Sequence, residues 1–217
     1  MGNIPNFEEA KNYFEERLTA HGATARGVDW NSEAAQELRF SQLSKVINTT
    51  QPFSLLDYGC GYGALAGYLR RSGFPLRHYV GFDVLESMVS KAREVYRAEL
   101  TGDDQTLYTF TSDFNQLTPV DFAIASGIFN LKLDVPNDQW TAYVISELHK
   151  LDSLSTKGFS FNMLTKYSDA EYMRPHLYYA DPCYLFDYCK THFSRNVALL
   201  HDYEVYDFTI IVRKSAG

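Results

Sequence analysis

Short apolar runs alternate along this chain with longer segments whose apolar positions recur every three or four residues. The compact runs lie at 53–58, 78–83, 106–112, 120–125 and 157–161, and the helical spacing lies between them at about 63–72, 85–100 and 137–152. Strands that are apolar throughout and separated by helices are typical of a parallel sheet with helices on both faces. The pattern therefore predicts an α/β fold.

The last part of the chain follows a different pattern. Asp181-Pro182 places an N-cap residue before a proline at the first helical position, which predicts a helix over about 182–192. Two further strands, Val197–His201 and Val205–Val212, follow with three residues between them. Because so short a connection cannot hold a crossover helix, these two strands are expected to be antiparallel neighbours. The sequence thus predicts seven strands, of which the last is reversed.

The first 50 residues carry helical spacing at 7–20 and 33–47, and Asn31 or Ser32 can cap the second helix. We therefore expect an N-terminal helical extension over 1–50 and a single compact domain over 51–217. The extension could act as a lid over a ligand, with Trp30 and Arg39 inside, or it could pack on the flank of the sheet.

Composition restricts the function classes. The 217 residues carry a formal net charge of −7 and no run rich in Lys and Arg, which disfavours nucleic acid as a partner. Three cysteines without Cys-x-x-Cys spacing predict neither a disulfide framework nor a metal site. No apolar run is long enough for a membrane span, and the polar start does not resemble a signal peptide. These features predict a soluble, cytoplasmic protein; they do not indicate its oligomeric state.

The strongest chemical signal is a loop with three alternating glycines, which runs from Asp57 to Gly63 between a strand and a helix. Glycine is needed where the backbone turns sharply and a ligand approaches it closely. The next strand ends in Asp83, whose carboxylate can accept hydrogen bonds from both hydroxyls of a ribose. In dinucleotide enzymes the third glycine comes later and the loop holds a pyrophosphate. Asp57 would repel such an anion and suits a cation or an ammonium group.

These residues resemble the ordered motifs of class I S-adenosylmethionine (SAM)-dependent methyltransferases. The motifs are Asp57-x-Gly59-x-Gly61-x-Gly63, Val80–Met88, Ser112–Phe114 and Asp121–Ser126. The reversed last strand also resembles that family, and the likeness covers about residues 53–217. The chain is further similar to a bacterial subgroup with Trp-x-Ser before the domain (Trp30, Ser32) and Ser-Gly-Ile-Phe-Asn after strand four (126–130). The resemblance implies a Rossmann-like fold, SAM as cofactor and methyl transfer as the activity.

The resemblance also implies roles for individual residues. Gly59, Gly61 and Gly63 would shape the methionine pocket, Asp57 would contact the amino group, and Asp83 would hold the ribose. Val84 and Met88 would lie near the adenine or ribose, and Ser112 would lie where the third strand ends beside the adenine. Asp113 would reach the adenine amine, Phe114 would cover the ring, and Ser126 and Gly127 would lie beside the sulfonium. Asp113 could instead be a cap and Met88 or Phe114 core residues. Cys60, between two glycines, is expected to be a packing residue.

The methyl acceptor is less well defined by the sequence. In open α/β sheets, ligands bind at the carboxyl ends of the strands. The candidates for substrate contacts there are Asn130, Asn162, Tyr167, Arg174, Tyr178, Tyr179 and Asp181. His176 is a further candidate in the same region. Because the pKa of a histidine lies near working pH, His176 could act as general base if the acceptor is a hydroxyl. A surface or packing role for His176 and a helix-capping role for Asp181 are the alternatives.

The expected function is methyl transfer to an O or N atom of a small metabolite. The residues after strand four read Ser126-Gly127-Ile128-Phe129, which is not the Asn-Pro-Pro-Tyr type of motif found in nucleic-acid methyltransferases. The alternative is a SAM-binding protein that does not methylate, either a regulator or an enzyme that uses SAM for another reaction.

Overall fold

A seven-stranded sheet forms the centre of the molecule, with the strands in the order β3-β2-β1-β4-β5-β7-β6. The computed structural model describes residues 8–30, 32–99 and 107–215. The strands are β1 (Phe53–Tyr58), β2 (Leu76–Phe82), β3 (Tyr108–Thr111), β4 (Val120–Ala125), β5 (Ser155–Leu164), β6 (Asn196–Leu200) and β7 (Asp207–Arg213). The helices are α1 (Glu8–His21), α2 (Glu33–Leu43), α3 (Ala64–Arg71), α4 (Glu86–Glu99), α5 (Asn137–Ser153) and α6 (Pro182–His192).

The topology confirms the predicted Rossmann-like fold. Strands β1 to β5 pair in parallel, whereas β7 pairs antiparallel with both β5 and β6. The strand order reverses between β1 and β4. From β1 the chain runs outward on one side of the sheet through β2 and β3, and it then returns to the other side of β1 with β4. Ligands bind at such a switch point, outside the carboxyl ends of the strands.

The sheet is buried on both faces. On one face, Trp140, Val144 and Leu148 of α5 and Leu185 of α6 pack on Phe159 and the other inward residues of the neighbouring strands. The opposite face carries a second cluster, which contains Phe40, Leu43, Val46, Phe53, Leu65, Leu69, Val89 and Phe122. Burial on both sides is why the central strands read as nearly continuous apolar runs.

Two predicted helix caps are present. Ser32 Oγ accepts a hydrogen bond from the Ala35 N–H at 3.1 Å, and Asp181 Oδ1 accepts one from the Cys183 N–H at 2.9 Å. Both bonds satisfy an N–H group that the first helical turn leaves unpaired. The alternative cap, Asn31, lies outside the described residues.

The two helices of the N-terminal extension differ in how deeply they are buried. Helix α2 and the turn after it bury Phe40, Leu43 and Val46 in the core, so this part packs on the flank of the sheet. Helix α1 has no buried residue. The packing alternative raised by the sequence thus describes α2, and a lid role for α1 stays a prediction.

Every helix in the described ranges is too short or too polar to span a lipid bilayer.

Candidate functional site

A single cleft at the carboxyl ends of β1, β2 and β4 collects most of the predicted cofactor residues. Its volume is about 1200 Å³ including the open mouth. The predicted residues that line it are Asp57, Gly59, Gly61, Asp83, Val84, Met88, Ser126 and Gly127. Strand topology explains the clustering, since these residues follow three neighbouring parallel strands.

The glycine loop has the left-handed backbone that its sequence predicts. Gly59, Gly61 and Gly63 have φ values of 84°, 52° and 87°. A Cβ atom at Gly59 would lie 2.2 Å from Ile128 Cγ2, and one at Gly61 would lie 2.8 Å from Val28 Cγ1. Both positions therefore need glycine for conformation and for space.

Gly63 has a different role from the one expected. It does not line the cleft but is the N-cap residue of α3, and its carbonyl accepts a hydrogen bond from the Tyr96 hydroxyl at 2.7 Å. A Cβ atom at Gly63 would lie 2.8 Å from Tyr96 Cε2. The third glycine thus shapes the turn into α3 from behind the cleft.

Asp83 stands at the end of β2 and ties the loop to the next segment. Its Oδ2 accepts a hydrogen bond from the Gly61 N–H at 2.9 Å, and its Oδ1 accepts one from the Leu85 N–H at 3.0 Å. A carboxylate has about four acceptor sites, so these two bonds leave lone pairs for a ligand. Burial raises the pKa of Asp83, while the two N–H groups lower it.

Asp57 is a buried carboxyl on the floor of the cleft. Its Oδ2 accepts a hydrogen bond from the Tyr79 hydroxyl at 2.5 Å. Burial raises the pKa of Asp57 to about 7; the Tyr79 bond opposes this shift and the negative charge of Asp83 adds to it. A cation placed beside Asp57 would favour its ionised form.

The raised pKa of Asp57 predicts pH-dependent binding of a ligand that carries an ammonium group. The ligand that the sequence resemblance implies here is SAM or its demethylated product, S-adenosylhomocysteine (SAH). Because the ammonium favours the ionised carboxyl, affinity for SAH should rise from about pH 6 to about pH 8 and then level off. The stability of the free protein should change with pH in the opposite direction. The contribution of Asp57 to the free energy of unfolding is present near pH 4 and is lost as the pH rises through about 7.

Calorimetric titration of SAH across this range checks the prediction. The Asp57→Asn variant should lose most of the pH dependence, because its amide does not titrate. Asp121→Asn is the matched control, since Asp121 forms ion pairs with Arg77 and Lys157 at the other end of β4. An equal slope in Asp57→Asn and the native protein would contradict the assignment.

Residues of the N-terminal segment form the outer wall of the cleft. Ala10, Lys11 and Phe14 of α1 line it together with Val28 and Trp30. The Trp30 ring lies against Gly127, where a Cβ atom would come within 2.4 Å of Trp30 Cζ2. Gly127, with φ at 72°, thus permits the close approach of the Trp30 ring.

The wall on the α5 side contains a buried polar pair that the sequence analysis missed. The Tyr58 hydroxyl donates a hydrogen bond to Glu147 Oε2 at 2.6 Å, and Lys150 Nζ donates to Oε1 at 2.7 Å. Glu147 lines the cleft near Trp140 and Tyr143. The sequence offered one signal for this pair. The spacing of Trp140, Tyr143 and Glu147 puts the Glu147 carboxylate on the buried face of an amphipathic helix.

The predicted adenine contacts after β3 lie beside the cleft and do not line it. Asp113 Oδ1 accepts a hydrogen bond from the Asn115 N–H at 2.9 Å, which is the capping role named as its alternative. Ser112 Oγ donates to Glu86 Oε2 at 2.5 Å. The half-exposed Phe114 ring meets the edge of Phe82, a cleft residue, at 5.9 Å between centroids.

Several predicted substrate contacts have structural partners instead. Asn162 is fully buried; its Oδ1 accepts the Gly127 N–H at 2.9 Å and its Nδ2 donates to Asp207 at 2.7 Å. Asn130 Oδ1 accepts the Leu164 N–H at 3.1 Å. Both amides therefore hold loops in place, and their position does not support direct substrate contact.

The loop after β5 is held by contacts within itself and with α5. The Tyr178 hydroxyl pairs with Thr141 Oγ1 at 2.6 Å, and the Tyr179 hydroxyl accepts the Arg174 N–H at 2.9 Å. Arg174 Nη1 donates to backbone carbonyls within the same loop, and Tyr167 is exposed near His201. These four residues lie outside the cleft lining.

His176 is likewise exposed on this loop. Its carbonyl accepts hydrogen bonds from the Lys132 and Leu133 N–H groups, and its ring does not line the cleft. A general base must come within hydrogen-bond reach of the acceptor. The position of His176 does not support the predicted role as base and fits the surface role named as its alternative. Asp181 caps α6 and forms an ion pair with Lys166.

Comparison with known proteins agrees with this geometry. Residues 56–131 match the family model described as a methyltransferase domain. A Mycobacterium tuberculosis (strain ATCC 25618 / H37Rv) protein named "Putative methyltransferase Rv1506c" is 45% identical over 172 residues, which are 79% of this chain and 99% of that protein. The chain belongs to the class I SAM-dependent methyltransferases.

Solved structures share the fold at low sequence identity. Magnesium protoporphyrin IX methyltransferase from Synechocystis PCC 6803 with bound SAM superposes with a TM-score of 0.67 and 17% identity, over 99% of this chain and 100% of that one. The methyltransferase domain of a bacterial Hen1 protein gives a TM-score of 0.62 and 12% identity, over 83% and 99%.

The protein uses SAM as its methyl donor and leaves SAH as the product. The residues present in the cleft fit this cofactor in three respects. The glycines leave space that a Cβ atom would fill, the Asp83 carboxylate has free acceptor sites, and Ser126 Oγ has no hydrogen-bond partner in the described part of the chain. When bound, SAM supplies an electrophilic methyl group on a positively charged sulfur.

Proposed function

We propose that this methyltransferase acts on an O or N atom of a small metabolite. The observation that carries the proposal is the chemistry of the cleft wall. Asp57, Asp83 and Glu147 line it, and Lys11 is its one basic residue in the described part of the chain. Nucleic acids are bound largely through Lys and Arg contacts to phosphates, which this wall does not offer.

The shape of the cleft supports the same conclusion. Trp30, Phe14 and Ile128 close it from the side of α1, and Trp140, Tyr143 and Leu131 close it from the side of α5. Walls rich in aromatic and aliphatic side chains with few polar groups are typical of small-molecule sites. The same walls would keep water from the methyl group, and holding donor and acceptor in line supplies much of the rate acceleration.

A labelling experiment tests the proposal. The protein is incubated with methyl-labelled SAM and a cell extract that has been separated into low-molecular-weight, RNA and protein fractions. We expect label in the low-molecular-weight fraction, in a product whose mass has grown by one methylene unit, and no label with the Gly59→Ala variant.

Two results would contradict this function. Label in the RNA fraction would assign the protein a nucleic-acid acceptor. Intact SAH binding without label in any fraction would favour the alternative, a SAM-binding protein that does not methylate.

A further inference from the structure

Five residues form a closed ring of contacts around the outer wall of the cleft. Gly127 N–H donates to Asn162 Oδ1 at 2.9 Å, and Asn162 Nδ2 donates to Asp207 Oδ2 at 2.7 Å. Asp207 Oδ2 also accepts a hydrogen bond from Arg39 Nε, and the Arg39 guanidinium lies 4.3 Å from the centroid of the Trp30 ring. The indole side chain of Trp30 completes this ring of contacts by packing on Gly127.

The members of this ring fall into two groups. Trp30 and Gly127 line the cleft, whereas Arg39, Asn162 and Asp207 do not. Asp207 and Asn162 are fully buried, and Arg39 is 8% exposed. The charge pair and the amide can therefore influence the cleft indirectly, through contacts that include Trp30 and Gly127.

The ring is built from separate parts of the fold. Arg39 belongs to α2, Asn162 to β5 and Asp207 to the first position of β7, while Gly127 follows β4. Asp207 Oδ1 has no hydrogen-bond partner in the described residues, although the carboxylate is buried. Burying such a charge is costly unless it is paired. Here the partner of Asp207 is Arg39, whose guanidinium lies against Trp30.

Trp30 is also connected to α1. The Trp30 backbone N–H donates to the carbonyl of Ala25, in the turn after α1, at 2.8 Å. The preceding residue, Asp29, accepts a hydrogen bond from the Tyr13 hydroxyl of α1 at 2.8 Å and pairs with Arg17 of α1 at 2.9 Å. These contacts connect Trp30 to residues 8–30, which we name the cover.

We propose that Arg39, Asp207 and Asn162 are positioning residues that latch the cover onto Gly127 and so hold the cofactor cleft closed. The latch acts on the methyl-donor site and does not depend on the size of the acceptor proposed above. If only a fraction of molecules has the cover in place, the apparent affinity for SAH falls by that fraction.

Tryptophan fluorescence can report the latch directly, because the chain contains two tryptophans, Trp30 and Trp140. In a Trp140→Phe background, Asp207→Asn should raise acrylamide quenching of Trp30 severalfold and weaken SAH binding about tenfold. In a Trp30→Phe background, the same substitution should change quenching of Trp140 far less, because Trp140 lines the cleft from α5, is 3% exposed and is held by a hydrogen bond from its Nε1 to the Phe129 carbonyl.

Two further variants keep the test decisive. Asp207→Asn leaves Arg39 buried without its carboxylate, which can impair folding. Arg39→Met/Asp207→Asn removes both charges and keeps an acceptor for Asn162, so it should fold and still release Trp30. Asp121→Asn, the control at the opposite end of the sheet, should change neither quenching nor SAH affinity.

Unchanged Trp30 quenching in the double variant would overturn the latch, as would an equal rise for Trp30 and Trp140. Because the readouts are fluorescence and SAH binding, they are independent of whether the acceptor is a small metabolite.

Discussion

Replacing Asp83 by alanine is expected to weaken SAH binding by about 100-fold. The ribose of the cofactor has two hydroxyls, and each charge-assisted hydrogen bond to a carboxylate contributes about 1.5 kcal/mol or more. Two such bonds amount to about 3 kcal/mol, which corresponds to about 100-fold in Kd. The loss of the Asp83 bonds to the Gly61 and Leu85 N–H groups adds to the effect, because those bonds hold the loop.

Isothermal calorimetry with SAH measures this effect, and Asp83→Asn separates its causes. Asparagine retains one acceptor oxygen but no charge, so we expect an intermediate loss of about tenfold. Circular dichroism should show that both variants keep the native secondary structure. An affinity within about twofold of the native protein in Asp83→Ala would remove the ribose assignment.

The second large effect is expected at Gly59, where alanine should abolish measurable SAH binding. An L-residue with φ near 84° costs about 1–2 kcal/mol in backbone energy. In addition, the new Cβ atom would lie 2.2 Å from Ile128 Cγ2, so either the loop or Ile128 must move. Both line the cleft, and either shift changes the surface that meets the cofactor.

Gly73→Ala provides a matched control for the backbone cost. Gly73 has φ at 72°, and a Cβ atom there would meet nothing within 4 Å. This variant should lose about 1 kcal/mol of stability while keeping native SAH affinity. Thermal unfolding and calorimetry on both variants test the argument. If Gly59→Ala binds SAH as well as Gly73→Ala does, the steric role assigned to Gly59 is wrong.

The clustering of residues in the candidate donor cleft was largely predictable from the sequence. The Asp57–Gly63 loop and Asp83 are each short, local patterns, and parallel strands bring such patterns to one edge of the sheet. The structure places Asp57, Gly59, Gly61 and Asp83 in one cleft. The fold was predictable for a similar reason, since apolar runs and the short link before β7 determine strand type and direction.

The residues around the acceptor could not be predicted in the same way. The loop after β5 contains Tyr, Arg and His, which are side chains that often bind ligands. In the structure the Tyr178 hydroxyl pairs with Thr141 of α5, and the Tyr179 hydroxyl accepts the Arg174 N–H within the loop. Residue type alone does not reveal whether a polar group faces a ligand or a neighbouring segment.

The buried network of Asp207 and Arg39 escaped prediction because it depends on long-range contacts. These two residues are 168 positions apart, and they meet only because α2 packs on β7 and β5. One local signal existed: Asp207 is an acid at the start of a strand in which four of the other six residues are apolar. A charged residue in such a position usually has a buried partner, but the sequence does not identify that partner.

A crystal structure of the complex with SAH is the measurement that tests the account most directly. The account predicts SAH in the cleft between the glycine loop and the cover, with its ribose hydroxyls on the Asp83 carboxylate and its ammonium group beside Asp57. SAH bound elsewhere, or a ribose without contact to Asp83, would contradict the central claim.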